Sequence, residues 1–150
     1  MKEKESIIDG QGLFAERDFK AGEVLCLFEG QEISLDYANS LYENGFDYIL
    51  QVANRRFLIL KNKEKYINHS CSPNGAFLNK SGELIALKDI KKGEEITFDY
   101  SANEITDFEF KCQCQSENCR EVIKPYPKLS REEKKEISPR LTPFVKLYER

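Results

Sequence analysis

The sequence has no tryptophan, one methionine, one histidine and no long apolar run among its 150 residues. Its first twenty residues carry charges throughout, so they contain no apolar segment of signal-peptide length. No segment approaches the roughly 18 apolar residues of a membrane-spanning helix. The sequence therefore predicts neither a secretory signal nor a membrane partner, and we expect a soluble, intracellular protein of the cytoplasm or the nucleus.

Positive charge is scarce over most of the chain. Residues 1–123 contain 15 Lys and Arg against 22 Asp and Glu, a net charge of −7, whereas residues 124–150 contain 8 against 4, a net charge of +4. Because binding to phosphate groups requires a basic surface, this distribution argues against direct nucleic-acid binding. The acidic excess favours a cationic peptide as partner. An equally good explanation is that the excess negative charge simply keeps the protein soluble.

The five cysteines argue against a disulfide framework, because their number is odd and no secretory signal precedes them. Three of them stand close together in CQCQSENC: Cys112, Cys114 and Cys119. Three thiolates leave a tetrahedral zinc site one ligand short, and Cys26, His69 or Cys71 has to supply the fourth. Cys26 lies in the apolar run EVLCLFEG, where a cysteine is usually a small core residue. Cys71 lies in a polar segment, so we predict it as the fourth ligand.

Length and composition predict one globular domain. The local sequence patterns predict that it is mainly β structure with short helices. With 150 residues, 40% of them hydrophobic, the chain can form one core and is short for two. Apolar or β-branched runs between turn sequences predict strands at 12–15, 24–28, 48–52, 57–60, 76–78, 84–87 and 96–100. Capping signals predict three helices: one over 35–44 after Ser34, one in SREEKKEI with Ser130 and Glu133 as a capping box, and one that begins at Thr142.

Four short motifs follow one another along the chain. They are GQGLFA at 10–15, YINHSCSPN at 66–74, GEEITFDY at 93–100 and CQCQSENCR at 112–120. A single one would be weak, since Gly-x-Gly is common in turns. Together and in this order they resemble the SET-domain protein lysine methyltransferases that carry a post-SET zinc motif. The resemblance extends over residues 10–120, about three quarters of the chain. The compact length of the chain is similar to that of the small free-standing SET proteins of bacteria and viruses.

The resemblance implies a particular fold and a metal site. The fold is the SET fold, small curled sheets of the β-clip type with a pseudoknot, followed by a C-terminal post-SET zinc loop. The implied division is a SET domain at 1–106, a post-SET zinc motif at 107–123 and a C-terminal helical extension at 124–150. One structural Zn²⁺ is expected on four residues: Cys71, Cys112, Cys114 and Cys119.

The resemblance also implies a cofactor, S-adenosylmethionine. The backbone of Gln11, Gly12 and Leu13 is expected to lie against it, and a glycine suits a close backbone approach. Asn68 and His69 match the Asn-His pair that binds the methionine and adenine portions. Two further contacts are expected, from the backbone of Gln113 and from Tyr100. The segment around the only histidine would thus carry part of the cofactor pocket and a metal ligand together.

The implied reaction is the transfer of methyl groups to the ε-amine of a protein lysine. The amine must first lose a proton, since its usual pKa is roughly 10.4, and an apolar channel beside a cationic cofactor favours that loss. Tyr100 matches the catalytic tyrosine that orients the amine, and Tyr48 matches a second tyrosine of the lysine channel. Phe98 stands at a Phe/Tyr switch position, where phenylalanine is expected to permit di- or trimethylation.

The expected substrate is a basic segment of a histone or of another basic protein, which suits the acidic body of the chain. The competing hypothesis is a zinc-stabilised binding module that keeps the SET fold without turnover. Asn68, His69 and Tyr100 together favour the enzyme.

Overall fold

A computed structural model describes residues 1–150, and its fold is mainly β with short helices. The strands are β1 (Lys2–Glu5), β2 (Gln11–Phe14), β3 (Val24–Leu27), β4 (Gly30–Ser34), β5 (Ile49–Ala53), β6 (Arg56–Leu60), β7 (Asn68–His69), β8 (Gly75–Ala76), β9 (Glu83–Ala86), β10 (Glu95–Phe98), β11 (Phe110–Lys111) and β12 (Val122–Ile123). The α-helices are α1 (Leu35–Glu43), α2 (Arg131–Ile137) and α3 (Pro143–Tyr148). Four short 3₁₀-helices lie at Lys63–Tyr66, Tyr100–Ala102, Tyr126–Lys128 and Ser138–Arg140.

Three sheets of unequal size make up the fold. The largest has the order β1-β2-β10-β8-β9-β3, with β7 paired to β10 beside this path. The other two are β4-β6-β5 and the small β11-β12 pair. Both β7 and β8 run parallel to β10, whereas β2 runs antiparallel to it. The central strand β10 therefore pairs with three other strands, β2, β7 and β8.

Two apolar cores hold these elements together. The main core lies between the largest sheet and the β4-β6-β5 sheet, and it includes Leu13, Leu50, Ile96 and Phe98. A second, smaller core joins the C-terminal segment to the turn after β10, through the side chains of Ala102, Tyr126, Leu129, Ile137, Leu141 and Val145. Burial of each large apolar side chain contributes roughly 1.5–3 kcal/mol. The C-terminal segment is thus packed onto the turn that follows β10.

The predicted helices are confirmed in position. The Ser34 hydroxyl accepts the Tyr37 amide proton at 3.3 Å and caps α1, and Gly45 follows the helix with φ of +77°. The capping box of Ser130 and Glu133 is present at α2, and α3 follows Thr142 directly. None of these helices has the length and hydropathy that crossing a bilayer requires.

Two predicted strands end two residues too late, whereas the other five lie within one residue of their predicted ends. The strand predicted at 76–78 lies at Gly75–Ala76, because it pairs there with β9 and because Phe77 turns into the main core. The strand predicted to reach Tyr100 ends at Phe98. Asp99 ends it, since its carboxylate accepts the Ser101 amide proton at 3.1 Å and caps a 3₁₀ turn that begins with Tyr100.

Five short strands were not predicted: β1, β4, β7, β11 and β12. The sequence of β1 is KEKE, fully exposed, and it forms a strand because it pairs along its whole length with β2. The others are short or mostly polar, and β7 consists of only two residues. Apolar alternation cannot reveal strands of this kind, because tertiary pairing rather than side-chain pattern defines them.

Candidate active site and metal centre

The segment from Asn68 to Asn74 lies along β10 and carries many of the polar groups of the site. At its beginning, Asn68 stands opposite Thr97 in the parallel pairing of β7 and β10. At its end, the Asn74 side chain donates to the Glu95 carbonyl at 2.8 Å and accepts the Thr97 amide proton at 2.9 Å. Both ends are therefore attached to one strand, which fixes the path of the residues between them.

Asn68 belongs to a polar cluster between β2 and β10. Its amide nitrogen lies 3.1 Å from the Asp9 carbonyl, 3.0 Å from the Gln11 carbonyl and 2.9 Å from Oε1 of Glu95. Both carboxylate oxygens of Glu95 also lie 2.8 Å from the Ser6 hydroxyl. Because the side-chain nitrogen faces all three acceptors, the orientation of the Asn68 amide is fixed and its Oδ1 points away from them.

Glu95 also explains why residue 12 is a glycine. A Cβ at Gly12 would lie 2.3 Å from Oε1 of Glu95, closer than real contacts allow, and 3.0 Å from Cβ of Ser6, which is tight. The sequence predicted a glycine here for close approach to a cofactor. The carboxylate of Glu95 supplies a reason within the protein itself.

We expect Gly12→Ala to displace the Glu95 carboxylate from Asn68 and Ser6. The lost hydrogen bonds should lower the free energy of unfolding by about 1–2 kcal/mol, measurable by urea denaturation. The matched control is the same substitution in a Glu95→Ala background, where the overlapping carboxylate is gone and the cost should be smaller. An equal cost in both backgrounds would show that Glu95 is not the cause.

Tyr100 is held by both its hydroxyl and its backbone. The hydroxyl donates to the Ile67 carbonyl at 2.8 Å, and the backbone amide donates to Nδ1 of His69 at 3.1 Å. The ring centroid lies 4.8 Å from that of Phe98 and 6.4 Å from that of Phe110. The ring is therefore confined on several sides and the direction of its hydroxyl is determined.

The surroundings of Tyr100 keep its hydroxyl protonated. Burial is the main cause that raises the pKa of Tyr100, and the negative charges of Asp9, Asp47 and Glu95 act in the same direction. A phenol with a raised pKa is a hydrogen-bonding group at neutral pH and a poor base. The same three carboxylates make this part of the site attractive to cations.

His69 is neutral and faces the cysteines. Burial lowers its pKa to about 4. Since Nδ1 accepts a proton from the Tyr100 amide, the imidazole proton lies on Nε2, which is 3.3 Å from Sγ of Cys71. Both ring nitrogens are thus engaged within the protein, so a cofactor contact from His69 would have to come from its backbone.

The four predicted metal ligands do lie together. The sulfur atoms of Cys71, Cys112, Cys114 and Cys119 are all within 4.8 Å of one another, and those of Cys71 and Cys112 are 3.8 Å apart. Tetrahedral zinc with Zn–S bonds of about 2.3 Å requires sulfurs roughly 3.8 Å apart. Cys26 instead packs against the main core, as predicted.

Backbone amides surround these sulfur atoms. The amide of Arg120 donates to Sγ of Cys71 at 3.4 Å, that of Cys71 to Sγ of Cys114 at 3.5 Å, and that of Glu121 to Sγ of Cys119 at 3.4 Å. Such outer contacts orient thiolate ligands and offset their negative charge. The donor set and its geometry fit one structural Zn²⁺.

Comparison with known proteins agrees with this geometry. Residues 10–101 match the SET domain model. The chain belongs to the SET-domain family. It is 34% identical over 131 residues to a variant-silencing SET domain-containing protein of Plasmodium falciparum, covering 73% of this chain and 5% of that protein.

Two histone-lysine N-methyltransferases are also similar to this SET domain. The H3 lysine-36 specific enzyme of Saccharomyces cerevisiae is 32% identical over 128 residues, covering 73% of this chain and 17% of that protein. Histone-lysine N-methyltransferase 2D of Homo sapiens is 31% identical over 130 residues, covering 77% of this chain and 2% of that protein. The chain therefore spans less than a fifth of the length of each of these relatives. The resemblance that the four motifs predicted is confirmed, as is the SET fold.

Two predicted cofactor contacts, Leu13 and Gln113, differ in exposure. Leu13 is buried in the main core, so only its backbone can face a cofactor. Gln113 is exposed and its side chain forms no hydrogen bond, whereas the nearby Gln115 donates to the Ile7 carbonyl at 3.3 Å. The Gln115 contact joins the cysteine loop to the turn before β2.

Phe98 and Tyr48 lie in different surroundings. The Phe98 ring is 6% exposed and stands 5.3 Å from the Phe77 ring and 4.8 Å from the Tyr100 ring, so it forms part of the core and also borders Tyr100. Tyr48 is 40% exposed, and its ring lies 5.9 Å from that of Tyr66. The structure therefore brings Phe98 beside Tyr100 and places Tyr48 towards the surface.

Sequence reasoning missed three acidic or aromatic residues of the site. No hydrogen-bonding role was predicted for Glu95, yet its carboxylate accepts a hydrogen bond from the Asn68 side chain. Asp99 is fully buried next to Tyr100, and the half-exposed Phe110 borders the Tyr100 ring. The one available signal was position, because Glu95 and Asp99 both stand inside the GEEITFDY motif.

Proposed function

We propose that this SET domain transfers methyl groups from S-adenosylmethionine to the ε-amine of a protein lysine. The observation that carries the proposal is the arrangement of Tyr100, whose hydroxyl is fixed by Ile67 at the junction of β10 with the Asn68–Asn74 segment. Family membership and the names of the similar histone-lysine N-methyltransferases support it. A zinc-stabilised binding module without turnover is not favoured.

The proposed cofactor site lies at the polar cluster of β2 and β10. Asn68 would bind the cofactor through Oδ1, which its own donor contacts leave free, while Gln11, Gly12 and Leu13 would contribute backbone. The carboxylates of Asp9 and Glu95 suit a molecule with two positive charges, an ammonium and a sulfonium. When bound, the cofactor supplies a methyl group activated by its attachment to positively charged sulfur. Further contacts to the cofactor are proposed from the backbone of His69 and from the backbone of Gln113.

The role proposed for Tyr100 follows from its hydrogen bonds. A phenol has one proton to donate, and in Tyr100 that proton is directed at the Ile67 carbonyl. The oxygen lone pairs therefore remain available to accept a hydrogen bond from the substrate amine, which turns the nitrogen lone pair in a defined direction. Orientation rather than proton removal is the proposed contribution, because the raised pKa makes this hydroxyl a poor base.

The proposed substrate is a basic segment of a histone or of another basic protein, with Tyr48 and Phe98 beside the lysine. The acidic residues around Tyr100 suit such a segment. One Zn²⁺ on the four cysteines is proposed to order the post-SET motif at 107–123, between the SET domain at 1–106 and the extension at 124–150.

The test is a methyl-transfer assay with radiolabelled cofactor against histone peptides and a cell lysate. Labelled lysine in the product supports the function. An Asn68→Ala variant, which should not retain the cofactor, is the control for contaminating activity. Cofactor binding without transfer to any lysine would contradict the enzyme and favour the binding module.

The number of methyl groups added is expected to depend on Phe98. A phenylalanine has no hydroxyl to hold a water molecule beside Tyr100, so an amine that already carries methyl groups can enter. We expect di- or trimethyl-lysine from the native chain and a shift to monomethyl-lysine in Phe98→Tyr. Mass spectrometry of a substrate peptide over a full time course measures the product. A native chain that stops at monomethyl-lysine would contradict the switch.

A further inference from the structure

The C-terminal extension, residues 124–150, packs directly on the turn that carries Tyr100. The backbone amide and the hydroxyl of Thr142 both contact the Ala102 carbonyl, at 3.0 and 3.2 Å, and the Tyr126 amide donates to the Glu104 carbonyl at 2.9 Å. The second core surrounds Ala102 with side chains of the extension. The SET domain match ends at residue 101, so family membership assigns no role to this segment.

A buried group of charges joins the extension to the end of β10. The side chain of Asp99 is fully buried, and it pairs with Arg120 at 2.6 Å and with Arg140 at 3.0 Å. The side chains of both arginines are at least 86% buried. A cavity of about 10 Å³ that Asp99, Arg140 and Thr142 help to line holds one water molecule at most. These pairs are therefore screened little by solvent, and loss of one partner is costly.

Arg140 also reaches the first of the clustered cysteines. Its guanidinium donates to the Cys71 carbonyl at 3.2 Å while Nε and Nη2 contact Asp99 at 3.2 and 3.0 Å. Arg120, the other partner of Asp99, directly follows Cys119 in the chain and donates its amide to Sγ of Cys71. One side chain of the extension thus connects the end of β10, the Cys71 segment and, through Asp99, the cysteine loop.

We propose that Arg140 is a positioning residue for the active site. By holding Asp99 and Cys71 it keeps two site residues in their relative places. They are Tyr100, which directly follows Asp99, and His69, which stands two residues before Cys71. A planar guanidinium suits this role because it can donate in two directions at once. The site is accordingly completed by the extension. The consequence for methyl transfer rests on the proposed function, whereas the positioning is a property of the fold.

The first test measures hydrogen exchange of the backbone amides of 99–104 and 112–121 in zinc-loaded protein. We expect exchange about tenfold faster in Arg140→Ala in both segments, because Asp99 in the first segment and Cys71, which contacts the second, each lose a buried partner. Arg140→Lys keeps the positive charge but lacks the planar guanidinium, so its exchange rates should lie between those of Arg140→Ala and those of the native chain. The control is Arg131→Ala, since Arg131 is an exposed arginine of the same extension whose side chain has no partner. Native exchange rates in Arg140→Ala would overturn the proposal.

The second test separates positioning from general stability. We expect Arg140→Ala to raise the cofactor dissociation constant about tenfold and to lower kcat, with partial rescue of both in Arg140→Lys. A lowered unfolding midpoint with native kcat and native cofactor affinity would overturn the role. If Arg140→Ala does not fold, Arg140→Lys decides by the same measurements. If the native chain transfers no methyl group, the proposed function fails, while hydrogen exchange and cofactor affinity still decide the role of Arg140.

Discussion

Tyr100→Phe is expected to lower the rate of methyl transfer by roughly tenfold to a thousandfold, about 1.4–4 kcal/mol of transition-state stabilisation. The substitution removes one hydroxyl and little volume. It deletes the acceptor proposed for the substrate amine and the hydrogen bond to Ile67, while the ring can remain between Phe98 and Phe110. Cofactor affinity should change little. The measurements are kcat from initial rates and the cofactor dissociation constant from calorimetry.

Two variants control for indirect effects on Tyr100. Tyr37→Phe removes the hydroxyl of a half-exposed tyrosine on α1 and should keep the native rate. Asn68→Ala should show the opposite pattern to Tyr100→Phe, with loss of cofactor binding, because its Oδ1 is the proposed contact. A Tyr100→Phe variant that methylates the substrate at the native rate would exclude Tyr100 from the reaction.

Cys119→Ser is expected to remove zinc and with it the order of the loop after Cys112. Structural zinc contributes to folding free energy directly, because its ligands are brought together only in the folded state. The loop includes Arg120, which donates to Cys71 and Asp99, so its loss should reach the Tyr100 turn. We expect one zinc per native chain, far less in the variant, and a fall of at least about tenfold in cofactor affinity. Metal analysis and calorimetry measure these quantities.

The matched control for zinc is Cys26→Ser. Cys26 lies outside the cluster and packs on the main core, so this variant should retain the metal even if it is less stable. Native protein that contains no zinc, with all five thiols freely titratable, would contradict the metal site. Retention of a full equivalent of zinc by Cys119→Ser would exclude Cys119 as a ligand.

Features that depend on local interactions could be predicted from the sequence alone. The helix ends are an example, because Ser34, Ser130 and Glu133 cap backbone groups only three residues away. The cysteine cluster could be predicted as well, since three thiols within eight residues leave few alternatives to a shared metal. The order of four motifs identified the family without any tertiary information, and with it Tyr100 and Asn68 as candidates.

Partners that are distant in the chain were decided only by the tertiary structure. Glu95 and Asn68 are 27 residues apart, Asp99 and Arg140 are 41 apart, and nothing in their local sequence indicates that they pair. The strand β1 is a similar case, since its four charged residues form a strand only because β2 lies beside them. The physical reason is that a buried carboxylate needs a hydrogen-bonding partner or a counter-charge, but which group provides it depends on how the sheets and the C-terminal extension pack.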